Sequence, residues 1–290
     1  MVNTWGLVMG ISLRDNYAHK LYTPDTYSKK VRCESKLSYQ SLRDLCDGKI
    51  LALRIPGYYE KSACRQILSR LAAEEELTQK YDNAPELDIY RLGMSFFETR
   101  FNKDLVDQYF SLSDRFNTSV EQICFPYLSP LQRLVNDLEH VWPSGAKIQQ
   151  LHNKAMMPGL VRIFLENQTF PPHQDMLSRD YPDLPPHEHP LSQLAVNIYL
   201  KNFEEGGELE LWDYAPDDEE VQQLYTGTHD FIDRAKIPVP GIKLRPAEGE
   251  LILAQCTKLH AVSPGRGGKR VAFSCFSAYR GEDQPLTYWV

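Results

Sequence analysis

Two residues in the stretch Phe170-Pro171-Pro172-His173-Gln174-Asp175 can do chemistry together. His173 and Asp175 are spaced i, i+2, and on an extended strand that spacing puts both side chains on one face. A neutral imidazole nitrogen beside a carboxylate oxygen supplies two ligands of a 2-His-1-carboxylate iron site. The third ligand must come from far along the chain, and His260 is the candidate. A β-rich run, Glu250 to His260, delivers it just before the turn Ser263-Pro264-Gly265. Arg270 comes ten residues after His260, at the start of the strand-like run Val271-Ala272-Phe273-Ser274. A fixed guanidinium there can grip a carboxylate through two parallel hydrogen bonds.

Each piece also has a plainer explanation. A chain with eight histidines can contain an H-x-D by accident, and a buried histidine bonded to a neighbouring aspartate is common in cores. Arg266, Lys269 and Arg270 can be a solvated basic turn. Gly265, Gly267 and Gly268 suggest a phosphate loop, but the Walker spacing fails because Gly268-Lys269 is followed by arginine. His187 and His189 form an H-x-H among prolines, which reads as an exposed loop rather than a metal site. His229-Asp230 reads as a surface turn, and His19, His140 and His152 have no matching partner. The acidic run Asp217-Asp218-Glu219-Glu220 lacks EF-hand spacing and reads as a solvated helix start.

The elements that must position these residues lie on both sides of a change in pattern near residue 146. Before it, residues 1–48 read as an extended arm with little periodicity. Ile50 to Ile55 reads as a strand stopped by Pro56, and Glu60 to Glu76 as an amphipathic helix. Residues 91–142 are largely helical in pattern, with stripes at Leu105, Tyr109 and Leu112 and at Leu128, Leu131, Leu134, Val135 and Leu138. After it come short β-rich runs at Leu160 to Leu165, Leu194 to Leu200, Glu208 to Trp212, Gly249 to Leu253 and Val271 to Tyr279. Short strands between turn signals suggest a sandwich or barrel. Two longer inserts interrupt them, 177–192 (Pro-rich) and 213–236 (acidic), and both are candidate lids.

Composition narrows the function classes. The 290 residues carry a net charge of −7, which argues against broad nucleic-acid binding and against an anionic membrane surface as partner. The six cysteines are scattered with no CxxC pair, which reads as reduced thiols of a cytoplasmic protein. The apolar run Trp5 to Leu13 is too short to span a membrane and makes a poor signal peptide.

Taken in order, the H-x-D, a β-rich span, the distant histidine and the arginine resemble the iron(II)/2-oxoglutarate-dependent dioxygenases. The link from Tyr199-Leu200 through Glu205-Gly206-Gly207-Glu208-Leu209 is similar to the prolyl-hydroxylase-like branch, where a Gly-Gly-Glu-Leu turn joins two barrel strands. The run Arg162-Ile163-Phe164-Leu165-Glu166 resembles free-standing oxygenases and halogenases of natural-product pathways. The resemblance covers about residues 155–280.

It implies an α+β chain with a mainly β core, a double-stranded β-helix or jelly roll, with helices packed on one side. The whole of 1–290 would be one oxygenase domain, with 1–145 as mainly helical support and 146–280 as the jelly-roll core. By the resemblance, His173, Asp175 and His260 would hold iron(II), and Arg270 would bind the distal carboxylate of 2-oxoglutarate. Tyr199 would bond the same cosubstrate, with dioxygen as the second cosubstrate and succinate and carbon dioxide as products. Asn197 shares the inward face of Tyr199 by strand parity. Arg162 either holds a substrate carboxylate or pairs with Glu166 on the strand surface. Halogenases of this type carry a small residue where this chain has Asp175, so hydroxylation of a small amino-acid-like or specialised metabolite is expected. A protein hydroxylase of the same family, a silent jelly-roll binding protein and a hydrolytic zinc enzyme are the competing readings.

Overall fold

The computed structural model describes residues 29–73, 78–81, 89–100, 102–151, 153–226 and 231–290. The apolar run Trp5 to Leu13, His19, His152 and the His229-Asp230 pair lie outside the described residues. The first half contains β1 (Val31–Cys33), α1 (Tyr39–Cys46), β2 (Ala52–Ile55), α2 (Lys61–Ala73) and β3 (Ile89–Leu92). A 3-10 turn (Phe96–Arg100), α3 (Leu105–Cys124), α4 (Pro130–Val141) and β4 (Ala146–Ile148) follow. Then come β5 (Leu160–Phe164), β6 (Phe170–His173), α5 (Leu177–Asp180), β7 (Ser192–Lys201) and β8 (Leu209–Leu211). The chain continues through α6 (Asp218–Leu224), β9 (Ile242–Leu244), β10 (Leu251–Gln255), β11 (His260–Val262), β12 (Arg270–Tyr279) and β13 (Leu286–Trp289).

These elements make a mixed helix-and-sheet fold around one large sheet. Its strands run β1-β2-β10-β7-β12-β5-β3 and end on the pair Gln79–Lys80, while β13 pairs with β12 and β4 with β13. A smaller sheet runs β9-β8-β11-β6. Side-chain alternation assigns the two faces of the large sheet. Val196, Ile198, Leu251, Leu253 and Phe273 join Leu42, Leu45, Ile67, Tyr109 and Leu134 of the helices in one core. The alternate positions Tyr199, Ile252, Ala254 and Ala272 join Leu209, Leu211, Ile242 and Leu244 of the smaller sheet. Helices therefore cover one face and the small sheet covers the other. Each fully buried leucine or isoleucine contributes on the order of 1.5–3 kcal/mol to holding these layers together.

The turn between β7 and β8 depends on glycine. Gly206 and Gly207 both sit at positive φ, +72° and +69°, and a Cβ on Gly206 would lie 2.3 Å from the Pro264 carbonyl oxygen. This close approach lets Glu205–Gly206 pair with Gly265–Arg266, the turn that precedes Arg270.

The N-terminal half does more than the sequence suggests. Residues 29–48 are not a featureless arm, because α1 starts at Ser38, whose side chain accepts from the Ser41 N–H, and buries Leu42, Leu45 and Cys46. Residues 91–142 are helical except at their start, where β3 pairs with β5, so the first half adds strands as well as helices to the large sheet. Leu128 lies outside the α4 stripe and is exposed, because the helix begins at a Ser129 capping box with Pro130 in its first turn. The acidic run behaves as read: Asp217 caps α6, with Glu220 completing the box. All six cysteines are free, and only Cys33 is exposed. Among the described residues no helix is long and apolar enough to cross a membrane.

Candidate active site

The small sheet brings the two histidines together by register. His260 on β11 is the antiparallel partner of His173 on β6, so their side chains rise from the same face. The ring centroids are 4.1 Å apart. Asp175 sits just past the end of β6, where its N–H donates to the Cys256 carbonyl (2.9 Å). Its Oδ2 lies 3.1 Å from His260 Nε2 and 3.7 Å from His173 Nε2. One ligand atom from each of the three residues falls within 4.8 Å of the others.

The donor set fits a divalent cation. His173 Nδ1 lies 2.7 Å from the Pro171 carbonyl and His260 Nδ1 lies 3.1 Å from the Lys258 carbonyl. A carbonyl can only accept, so Nδ1 carries a proton in each ring, and Nε2 is the nitrogen turned toward Asp175 and left to hold a metal. Burial, together with the neighbouring His260, pushes His173 down to about 3, so this ring is neutral at physiological pH. Burial opposes ionisation of Asp175, but His173, His260 and Arg162 outweigh it and draw the carboxyl down to about 2. Two imidazole lone pairs and a carboxylate converging on one point are what a 2-His-1-carboxylate centre requires.

The basic side of the site lies on the large sheet. Inward positions of β12 are Arg270, Ala272 and Ser274, and those of β7 include Asn197 and Tyr199. Arg270 is buried at 4 % exposure. Its guanidinium lies 5.1 Å from the Phe164 ring centre and 5.0 Å from that of Tyr199. It donates from Nη2 to Tyr199 Oη (3.1 Å), while Nε and Nη1 are buried with no hydrogen-bond partner among the described residues. A buried cation with two open donors is costly unless an anion completes it, and a carboxylate is the matching group. Asn197 is less open, since its Oδ1 accepts from Ser274 Oγ (2.7 Å).

Arg162 projects from β5 into the same cavity as His173, Asp175, His260, Asn197 and Arg270. Its Nε donates to Tyr81 Oη (2.9 Å), and its terminal nitrogens make no hydrogen bond among the described residues. Arg162 turns to Tyr81 and the cavity rather than to Glu166, which accepts from the Gly268 N–H (2.7 Å). That contact also fills the glycine turn with the chain's own carboxylate. Tyr81 and Gln174 escaped the reading of the sequence. Nothing local marks Tyr81, whereas Gln174 was visible as the middle residue of the H-x-D.

The inserts are packed against the protein, and among the described residues they do not line the cavity shared by the triad and Arg270. Leu177 and Leu184 of 177–192 are buried in the main core. In 213–236, Leu224 and Ile232 pack with Trp212, Leu259 and Ala261, and the Ile232 N–H donates to the Pro172 carbonyl (2.7 Å). A smaller cavity reaches Asp175 between Arg179 and Asp180 of the first insert and Val221 and Tyr225 of the second. The segment before His260 is held to the second insert by Asp213, which pairs with Lys258 and, at 3.4 Å, with Lys30. The remaining described histidines are elsewhere. His189 Nε2 contacts the Leu184 carbonyl (2.9 Å), His187 is exposed, and His140 contacts the Asn136 carbonyl on the surface of α4.

A curated relative, L-gamma-glutamyl-L-propargylglycine hydroxylase of Streptantibioticus cattleyicolor, is 25% identical over 244 residues, covering 81% of this chain and 87% of its own. Two solved structures of an N-substituted L-amino acid dioxygenase from Burkholderia ambifaria each cover 87% of this chain and 91% of their own. One, in complex with alpha-KG, has a TM-score of 0.59 at 17% identity, and the other a TM-score of 0.60 at 18% identity. Residues 31–290 match the model of the family described as carrier-protein-independent halogenase WelO5. The chain belongs to this WelO5 family and is an iron(II)/2-oxoglutarate-dependent oxygenase.

Proposed function

We propose that this oxygenase hydroxylates an unactivated C–H bond of a small, carboxylate-bearing, amino-acid-like molecule, with His173, Asp175 and His260 as the metal ligands. The observation that carries the ligand assignment is the opposed pair His173 and His260, with both Nδ1 protons taken up by backbone carbonyls and both Nε2 atoms near Asp175. Bound iron(II), with 2-oxoglutarate and dioxygen, supplies an oxidant able to break such a bond while releasing succinate and carbon dioxide. The protein binds, orients and shields. Arg270 and the Tyr199 hydroxyl receive the distal carboxylate of 2-oxoglutarate in the buried end of the cavity. The Asn197 and Ser274 pair lines the stretch beside it. The two facing sheets form a double-stranded β-helix, and the core that runs from Leu37 to Val290 supports a single oxygenase domain.

The substrate class rests on charge and on relatives. Asp175 is the one acidic side chain among the described residues that line the cavity, whereas Arg162 and Arg270 both line it. With Arg270 assigned to 2-oxoglutarate, the open guanidinium edge of Arg162 suits an anionic group on the substrate. The names of the hydroxylase from Streptantibioticus and the dioxygenase from Burkholderia point to amino-acid-like substrates. The packed inserts favour a small molecule over a protein strand laid in an open groove. Arg162→Ala is expected to raise the substrate KM by roughly 10–100-fold, the loss of one or two charge-assisted hydrogen bonds. Substrate-free succinate formation should persist in this variant, and an unchanged KM would remove Arg162 from substrate binding.

Asp175 sets the outcome of the reaction. The family takes its name from a halogenase, yet a carboxylate stands here where such halogenases carry a small residue, so a halide has no open ligand position. Asp175→Gly is expected to lower hydroxylation sharply and to make the anaerobic iron(II)–2-oxoglutarate absorption band sensitive to chloride. Hydroxylation at the wild-type rate would exclude Asp175 as a ligand.

A further inference from the structure

We infer that Gln174, between the two candidate ligands His173 and Asp175, is a positioning residue that holds the His260 segment and both inserts in register with the metal-binding face. This rests on the ligand reading above. Gln174 follows the last residue of β6, and its amide is taken up by protein partners on three sides. Its Nε2 donates to the Thr257 carbonyl (2.7 Å), three residues before His260, and to the Pro216 carbonyl (3.2 Å), just before α6. Its Oε1 accepts from Arg179 Nη1 (2.9 Å) in α5. Arg179 in turn donates from Nε to Asp218 Oδ1 (2.9 Å), with Nη2 2.8 Å from the same oxygen. One carboxamide thus joins the ligand strand, the segment that delivers the third ligand, and both inserts.

The Arg179–Asp218 pair contributes little alone, since Asp218 is 86% exposed and surface pairs are worth about 0–1 kcal/mol. The amide is harder to replace. Among side chains of this length, only a carboxamide offers two donors and an acceptor on one planar group. A glutamate keeps the volume and the Arg179 contact but sets a carboxylate against two carbonyl oxygens. A ligand that binds at the triad fixes the two segments relative to each other, and Gln174 carries that restraint to α6 through Pro216. Linkage makes the coupling reciprocal: fixing α6 favours the metal.

The test uses cobalt(II) as an anaerobic probe of the full chain, with hydrogen exchange read on and off the metal. In Gln174→Ala and Gln174→Glu, cobalt affinity is expected to fall by roughly 10–100-fold, the range for groups that orient metal ligands. Metal-dependent protection of residues 218–224, present in the wild type, should disappear in both variants at saturating cobalt. Gln174→Glu guards against a simple packing defect, and thermal melts of the metal-free proteins verify folding. Either an unchanged affinity or undiminished protection in the variants overturns the assignment while leaving the ligand reading intact. Absence of cobalt binding in the wild type overturns the ligand reading and this one with it.

Discussion

Replacing His260 with alanine is expected to abolish succinate formation from 2-oxoglutarate while leaving the fold in place. In the proposed centre His260 is the ligand that ties the two distant segments together, and His173 and Asp175 alone are a two-point site. Metal-assisted steps draw several kcal/mol from a correctly held ion, and about 4 kcal/mol is already a thousandfold in rate. His173→Ala should behave in the same way, because it too removes one of three converging candidate ligand atoms. Folding should survive, because the core of β7, β10 and β12 packs without these side chains. The check is succinate release under saturating iron and 2-oxoglutarate, with circular dichroism and a thermal melt alongside. Wild-type succinate formation in the His260→Ala protein would remove this histidine from the centre.

The second large effect is expected at Arg270. Arg270→Met should raise the 2-oxoglutarate requirement by roughly a hundredfold or more, since charge-assisted hydrogen bonds in a buried site are worth about 1.5–3 kcal/mol each. Methionine preserves much of the volume between Phe164 and Tyr199, so packing is not the variable tested. Stability should move the other way. Nε and Nη1 of Arg270 are buried without partners among the described residues, and removing an uncompensated buried cation relieves a desolvation penalty. The metal-free variant is therefore expected to melt at or above the wild-type temperature and to lose the rise in Tm that 2-oxoglutarate gives the wild type. Arg270→Lys should fall between the two, because an ammonium keeps the charge and loses the planar fork. An unaltered requirement in Arg270→Met would exclude this residue from cosubstrate binding.

The chemistry was more legible in the sequence than the architecture that delivers it. The i, i+2 spacing of His173 and Asp175 marked the pair, although β6 ends at His173, and strand parity places Asn197 and Tyr199 on one face of β7 and Arg270 on the inward face of β12. The direct pairing of His173 with His260 was not readable, because register between strands separated by eighty-odd residues depends on the whole sheet. β1 and β3 were missed for a related reason. They are three and four residues long, too short for periodicity, and they are strands only because β2 and β5 offer free edges. α1 was missed although Ser38, Leu42 and Leu45 carried a cap and a stripe, since eight residues give a weak helical signal. The inserts were legible as long interruptions of the β pattern, but their packing depends on Leu177, Leu184 and Ile232, whose partners lie far away in sequence.

Anaerobic addition of iron(II) and 2-oxoglutarate to the purified protein, followed in the visible spectrum, tests the metal centre most directly. A charge-transfer band that saturates at one iron per chain, vanishes in His173→Ala and His260→Ala, and needs far more 2-oxoglutarate in Arg270→Met is the expected result. A wild-type protein that gives no such band, or one whose band survives loss of either histidine, would contradict the assignment of His173, Asp175 and His260 as the iron ligands.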